Sequence, residues 1–159
     1  MKIKKLAAPV GAAAFAIGIA AATVVPASAA DNIKPFGQQE RLNDWATGAP
    51  TIGYTVDGLN PSSAPVPHNG QLYEPTVKVD GFGSSANPNV QMFNARAENG
   101  QNYRVLPESG LGAAPPGGSS TGVLYFDVVG MEPNSVVYND GVRDLLVWVA
   151  GPPVGGTNP

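Results

Sequence analysis

The stretch Val90-Gln91-Met92-Phe93-Asn94-Ala95-Arg96-Ala97-Glu98-Asn99-Gly100-Gln101-Asn102-Tyr103-Arg104-Val105-Leu106 decides the fold class. Two runs containing apolar residues flank Ala97-Glu98-Asn99-Gly100, and Asn-Gly is the strongest short hairpin signal because both residues tolerate a positive φ. The spacing therefore predicts a β-hairpin. Pairing about Asn99-Gly100 puts Phe93, Ala95 and Leu106 on one face and Met92, Tyr103 and Val105 on the other, with Arg96 and Arg104 on opposite faces. Either face could be the core at this level.

Outward from the hairpin the same grammar repeats. Upstream, Thr51 to Asp57 alternates Ile52, Tyr54 and Val56 with polar or small residues, which is the period of a half-buried strand, and Asp57-Gly58 and Asn60-Pro61 end it. Asn60 to Gly70 carries Pro61, Pro65 and Pro67, whose missing N–H groups prevent ladder pairing and predict an extended exposed loop. Leu72 to Asp80 resumes the alternation, with Pro75 marking an edge strand or a bulge. Downstream, a Gly/Pro/Ser loop runs from Pro107 to Ser120. Val123 to Val129 is a nearly continuous apolar run broken only by Asp127, the pattern of a central strand. Val136 to Tyr138, the turn Asn139-Asp140-Gly141 and Leu145 to Val149 form a second predicted hairpin.

No segment after the leader places apolar residues at i, i+3, i+4 and i+7 over two turns, so little or no helix is expected. Seven or eight short strands with turns every 8 to 12 residues or so point to an all-β, immunoglobulin-like antiparallel β-sandwich. A closed barrel is the alternative that the pattern leaves open. The chain has 159 residues with 20 Gly, 16 Pro and no Cys. That length bounds it to one domain, and the absence of cysteine excludes disulfide staples, thiolate metal sites, a cysteine nucleophile and a lipid-anchor cysteine.

Lys2, Lys4 and Lys5 precede an uncharged Ala-rich stretch from Leu6 to Val25, and Ala27-Ser28-Ala29 follows as a small-residue cleavage site. This is the arrangement of a secretory signal peptide, residues 1–29. An uncleaved membrane anchor is the rival, weakened by Pro9, Gly11, Gly18 and the many alanines. The whole chain has nine basic and twelve acidic residues, and cleavage removes three of the basic ones, leaving a net charge of −6. The six that remain, Lys34, Arg41, Lys78, Arg96, Arg104 and Arg143, are scattered among twice as many carboxylates, which argues against nucleic acid or anionic membrane as partners.

Chemistry-bearing residues are sparse. His68 is the single histidine and lies in the Pro-rich loop near Ser62 and Ser63, but no nucleophile elbow or spaced acidic partner accompanies it. A solvated loop histidine is the expected role. Zinc lacks ligands, and the carboxylates of Asp57-Gly58, Asp80-Gly81 and Asp140-Gly141 lack calcium-loop spacing, so each reads as a plain turn. Trp45, Tyr54, Tyr73, Tyr103, Tyr125, Tyr138 and Trp148 could stack on sugar rings, but strand packing accounts for most of them, and Trp148 in particular reads as interior. Asn60-Pro61-Ser62 has proline at the position that forbids glycosylation, and Gly81-Phe82-Gly83 lacks the third glycine of a phosphate loop. No catalytic, cofactor-binding or metal-binding residue is therefore assigned.

Met92-Phe93-Asn94-Ala95-Arg96, Asn99-Gly100, Asn102-Tyr103-Arg104-Val105-Leu106, Ser120-Thr121-Gly122 with Tyr125-Phe126-Asp127-Val128, and Asn139-Asp140-Gly141 with Asp144-Leu145-Leu146-Val147-Trp148 together resemble the small secreted immunogenic antigen family of mycobacteria, known for an immunoprotective extracellular protein. The resemblance is specific from Met92 to Trp148 and looser from Thr51 to Val79. It implies an immunoglobulin-like sandwich, export to the medium and no assigned enzymatic activity. It brings no catalytic or ligand-binding motif. The Pro107 to Ser120 loop and the Gly151 to Pro159 extension depart from the family.

These readings divide the chain into a cleaved signal peptide (1–29), a β-sandwich domain (30–150) and a flexible tail (151–159). The expected function is that of a secreted, non-enzymatic protein that binds a host or extracellular protein. A lipid- or sugar-binding module is the alternative, and no stable membrane anchor is expected after cleavage. N-terminal sequencing of the exported protein is expected to begin at Ala30, and a sequence beginning at Met1 or Lys2 would refute the cleavage.

Overall fold

Alternation in Pro50–Asp57 seats Ile52, Tyr54 and Val56 in the interior and leaves Thr51 and Asp57 in solvent, as a half-buried strand requires. The computed structural model of the protein describes residues 32–151. The expected signal peptide, residues 1–29, and residues 152–159 of the expected tail lie outside that range. Eleven strands are described: β1 Ile33–Pro35, β2 Gln39–Asn43, β3 Pro50–Asp57, β4 Gln71–Tyr73, β5 Thr76–Gly81, β6 Phe93–Ala97, β7 Asn102–Arg104, β8 Ser119–Val123, β9 Phe126–Val128, β10 Pro133–Asn139 and β11 Asp144–Val149. A single 3₁₀ turn at Val90–Met92 is the one helical element described. Among the described residues no helix is long and apolar enough to cross a membrane.

One layer is the five-stranded sheet β1-β11-β10-β6-β7, and the other is the four-stranded sheet β2-β3-β5-β8. The β4-β9 pair continues the first layer beyond β7, through the bridge Val105↔Phe126 and the bond from Leu106 N to Tyr125 O at 2.8 Å. All pairings within the sheets are antiparallel except β1 with β11, which is parallel. This is the expected all-β, immunoglobulin-like sandwich. Its core is aromatic at the centre: Phe93 lies 5.2 Å from Tyr54, 5.0 Å from Tyr138 and 6.3 Å from Trp148, ring centroid to ring centroid. Trp148 is fully buried, as its sequence neighbours imply, and its Nε1 donates to Gln38 O at 2.9 Å.

The hairpin of residues 90–106 forms, but its register differs by one residue from the expected one. Ala97 N donates to Gln101 O at 2.9 Å and Gly100 N to Ala97 O at 2.9 Å, so the loop contains three residues, with Gly100 in the left-handed region at φ 86°. A three-residue loop of this kind takes glycine at its last position because an L side chain is strained there. The register pairs Ala95 with Tyr103 and Asn94 with Arg104. A one-residue shift moves every side chain of one strand to the other face. Phe93, Ala95, Ala97, Tyr103 and Val105 thus all face the core, and Arg96 and Arg104 share the outer face instead of dividing between the two.

Two long runs each split into strands of different sheets. Leu72 to Asp80 breaks at Pro75, where β4 pairs with β9 and β5 takes an interior place between β3 and β8 rather than an edge. Val123 to Val129 breaks at Leu124-Tyr125, so it is not one central strand. The breaks face each other: Pro75 has no N–H to donate, and its carbonyl accepts from Leu124 N at 3.1 Å. Both chains turn the same corner between layers, a common way for sandwich strands to change sheets. β1 and β2 are not legible as strands in the sequence: Ile33-Lys34-Pro35 is too short to show alternation, and Gln39-Glu40-Arg41-Leu42-Asn43 is mostly polar.

Glu40 explains part of that polarity. It points inward from β2 and is 2% exposed. Lys34 Nζ lies 3.8 Å from its Oε2 while donating to Gln39 O at 2.9 Å, and Oε1 has no partner. Burial raises the carboxyl above its ordinary value of 4.5, against the attraction of Lys34. A raised folded-state pKa means that the cost of ionisation is absent below the unfolded value, grows as pH rises from there and is fully present above the folded value. Glu40→Gln is therefore expected to gain about 1 kcal/mol on wild type between acidic and neutral pH. Chemical denaturation of both proteins at pH 4 and pH 8 checks this, and a difference independent of pH, or one growing toward acid, would refute it.

Candidate functional site

Sandwich geometry leaves two broad outer faces, and the one over β10, β6 and β7 is the more specialised. Because the hairpin register turns the even-numbered residues outward, Asn94, Arg96, Asn102 and Arg104 stand together on it, and Asn139 joins from the end of β10. The β10–β11 turn fixes Asn139: Gly141 N donates to Asn139 Oδ1 at 2.7 Å, and Val142 N and Arg143 N donate to Asp140 Oδ1 at 2.8 Å. Those bonds hold the Asp140 carboxyl below its ordinary value.

The two guanidinium groups differ in state. Arg96 makes a bidentate pair with Asp144, with Nη1 to Oδ2 at 2.6 Å and Nη2 to Oδ1 at 2.9 Å, and its Nε donates to Asn102 Oδ1 at 2.8 Å. Asn139 Nδ2 adds a bond to Asp144 Oδ1 at 2.7 Å. The hydrogen bonds from Arg96, followed by that from Asn139, lower the Asp144 carboxyl below its ordinary value against a partial desolvation. Arg96 is thus neutralised and locked. Arg104 is exposed and has no side-chain partner among the described residues. Around it are two adjoining shallow depressions of about 250 and 330 Å³, both lined by Asn94, Arg104 and Asn139. Chemically this is one free planar donor fork framed by the carboxamides of Asn94 and Asn139, with the Asp140 carboxyl, already bonded to the turn amides, at the edge of the second depression.

The residues weighed from sequence fall elsewhere. His68 is exposed in its loop with Nδ1 2.6 Å from Val66 O, while the Ser62 hydroxyl donates to Glu74 Oε2. The two do not meet. The loop itself is clamped by Asp127, which accepts from Asn69 N and Gly70 N, each at 2.8 Å. Asp57, Asp80 and Asp140 sit in separate places, and among the described residues no group of three or more His, Cys, Asp or Glu is arranged to hold a metal. Tyr54, Tyr73, Tyr103, Tyr138 and Trp148 are buried and form no external platform. Trp45, unassigned from sequence, is 95% exposed at the tip of the β2–β3 turn, where Asp44 Oδ1 accepts from Ala46 N and Thr47 N.

The profile of the family described as Domain of unknown function (DUF1942) matches residues 31–148. The chain is 39% identical over 122 residues to Immunogenic protein MPT63 of Mycobacterium tuberculosis, and equally to Immunogenic protein MPB63 of Mycobacterium bovis. Each alignment spans 71% of this chain and 76% of the relative. The 1.5 Å crystal structure of MPT63, described as a secreted protein, matches with a TM-score of 0.67 and 35% identity, covering 74% of this chain and 95% of that one. The yjhA protein of Bacillus subtilis matches with a TM-score of 0.52 at 16% identity, over 74% of this chain and 99% of that one, and shares the fold alone. The sandwich and the match over residues 31–148 establish that the chain belongs to the DUF1942 family, with the mycobacterial immunogenic proteins MPT63 and MPB63 as relatives.

Proposed function

We propose that the protein is exported after loss of residues 1–29 and acts without catalysis, by binding another extracellular protein through the outer face of β10, β6 and β7. The observation that carries this reading is the unpartnered guanidinium of Arg104 beside a neighbour, Arg96, whose charge is already consumed by Asp144. A rigid sheet holds the array at little entropic cost on binding. A carboxylate side chain of the partner is the complement, meeting the Arg104 fork while its flanks hydrogen-bond to Asn94 and Asn139. The relatives that are named immunogenic proteins, and the one described as secreted, support an extracellular role.

A photo-crosslinking residue placed at Asn102 reports contact with partners in the producing culture's medium or on host cells. The expected result is a discrete crosslinked protein whose yield falls at least about tenfold in Arg104→Glu, since a central interface arginine typically costs more than 1 kcal/mol when lost. Thr121→Glu, on the opposite sheet, leaves the yield unchanged. Crosslinking that ignores residue 104 would refute the reading.

A further inference from the structure

On the four-stranded sheet the outward side chains form two rows across the strands, Gln39–Thr55–Lys78–Thr121 and Arg41–Gly53–Asp80–Ser119. Gly53 opens the middle of the second row: a Cβ there would stand 3.0 Å from Gln39 Nε2 and 3.3 Å from Phe82 Cζ. The space lets Gln39 lie across β3, where its Nε2 donates to Asp80 Oδ2 at 2.7 Å and its Oε1 accepts from Arg41 Nε at 2.7 Å. Lys78 Nζ reaches Asp80 Oδ1 at 3.0 Å. The Arg41 guanidinium lies 5.1 Å from the centroid of the half-buried Phe82 ring. A wall rises where Gly117 N donates to Phe82 O at 2.8 Å and Gly81 N to Gly118 O at 2.9 Å. The result is a shallow, open groove of about 620 Å³.

The groove's chemistry selects among ligand classes. A hydrocarbon chain would strand Arg41, Lys78 and Asp80 without water. A simple oxoanion drawn to the two cations meets the Asp80 carboxylate between them. Hydroxyl groups both donate and accept, so neighbouring hydroxyls on one ring satisfy Asp80 as acceptor and Lys78, Arg41 and Ser119 as donors or relays. The apolar face of such a ring packs on the open part of Phe82. We propose that this groove is a saccharide-binding site, with Asp80 and Lys78 holding a pair of adjacent hydroxyls, Arg41 a third, and Phe82 the ring face. It lies on the opposite sheet from Arg104 and does not rest on the protein-contact reading.

Amide NMR of the exported protein titrated with the methyl glycosides of glucose, mannose, galactose and arabinose, and separately with sodium sulfate, tests the site. Saturable shifts are expected for at least one glycoside, confined to the amides around Gln39, Gly53, Asp80 and the 117–119 turn. Asp80→Asn and Arg41→Met are each expected to weaken binding at least about tenfold, as loss of a charged hydrogen-bond partner does. Unchanged amides in β6 and β10 report that both variants are folded, and Arg104→Glu leaves binding intact. No saturable shift with any glycoside, binding undiminished in both variants, or saturation of the same amides by sulfate alone would each overturn the proposal.

Discussion

The contact of Phe93 with Tyr54, Tyr138 and Trp148 joins the two sheets, and most of the structure depends on it. The chain has no cysteine, so no disulfide spans the layers as in many extracellular sandwiches. A native disulfide contributes about 2–5 kcal/mol in a small domain. Burying one aromatic ring removes roughly 150–250 Å² from water, which at about 25 cal/mol per Å² contributes a comparable amount. Four rings therefore outweigh the missing bridge. Tyr54 sits where burial and its neighbour Tyr138 push its phenol well above the usual value, and burial raises Tyr138 as well, so ionisation of either ring is disfavoured.

The same cluster organises the rim. Trp148 spends its indole N–H on Gln38 O, and Lys34 spends its ammonium on Gln39 O, so two carbonyls at the start of β2 are occupied by side chains. An open strand edge is a template for unwanted pairing, and occupied carbonyls with a nearby lysine blunt it. Inward-facing Glu40 acts in the same direction, since a buried carboxylate disfavours a slipped or extended β2. The cost of that charge is borne locally, and the aromatic core, whose Tyr54 stands directly opposite Glu40 on β3, supplies the stability that offsets it.

The sequence announces the strands better than it announces the faces. Alternation at Ile52, Tyr54 and Val56 and the apolar run from Leu145 to Val149 were sufficient to place β3 and β11, to name the inward side chains of β3 and to mark Trp148 as interior. The switch of sheets at Pro75 and Leu124 was hidden, because a corner shared by two strands leaves the apolar pattern of each unbroken. The Arg104 face was missed for a single reason: Asn-Gly was read as the whole loop. A signal was present. Phe93, Ala95, Ala97, Tyr103 and Val105 are all odd-numbered and apolar, while Asn94, Arg96, Asn102 and Arg104 are even-numbered and polar. Only a loop with an odd number of residues puts each set on one face. The proposed saccharide groove had no such signal, since Gln39, Gly53 and Asp80 lie on three strands and are 14 to 41 residues apart in the sequence.

Charge placement completes the physical picture. Without residues 1–29 the chain carries a net charge of −6, which at a distance repels acidic partners. At physiological ionic strength the screening length is about 8 Å, so a partner at the surface responds to the nearest groups rather than to the total. Four of the six remaining cations stand on the two outer sheet faces, Arg96 and Arg104 on one, Arg41 and Lys78 on the other. On each face a carboxylate holds one of them, Asp144 for Arg96 and Asp80 for Lys78. Each patch is thereby reduced to about one uncompensated positive charge in a fixed hydrogen-bonded frame. That arrangement favours recognition by geometry over nonspecific attraction, because a single charge supplies little long-range field while the frame around it accepts only a matching group.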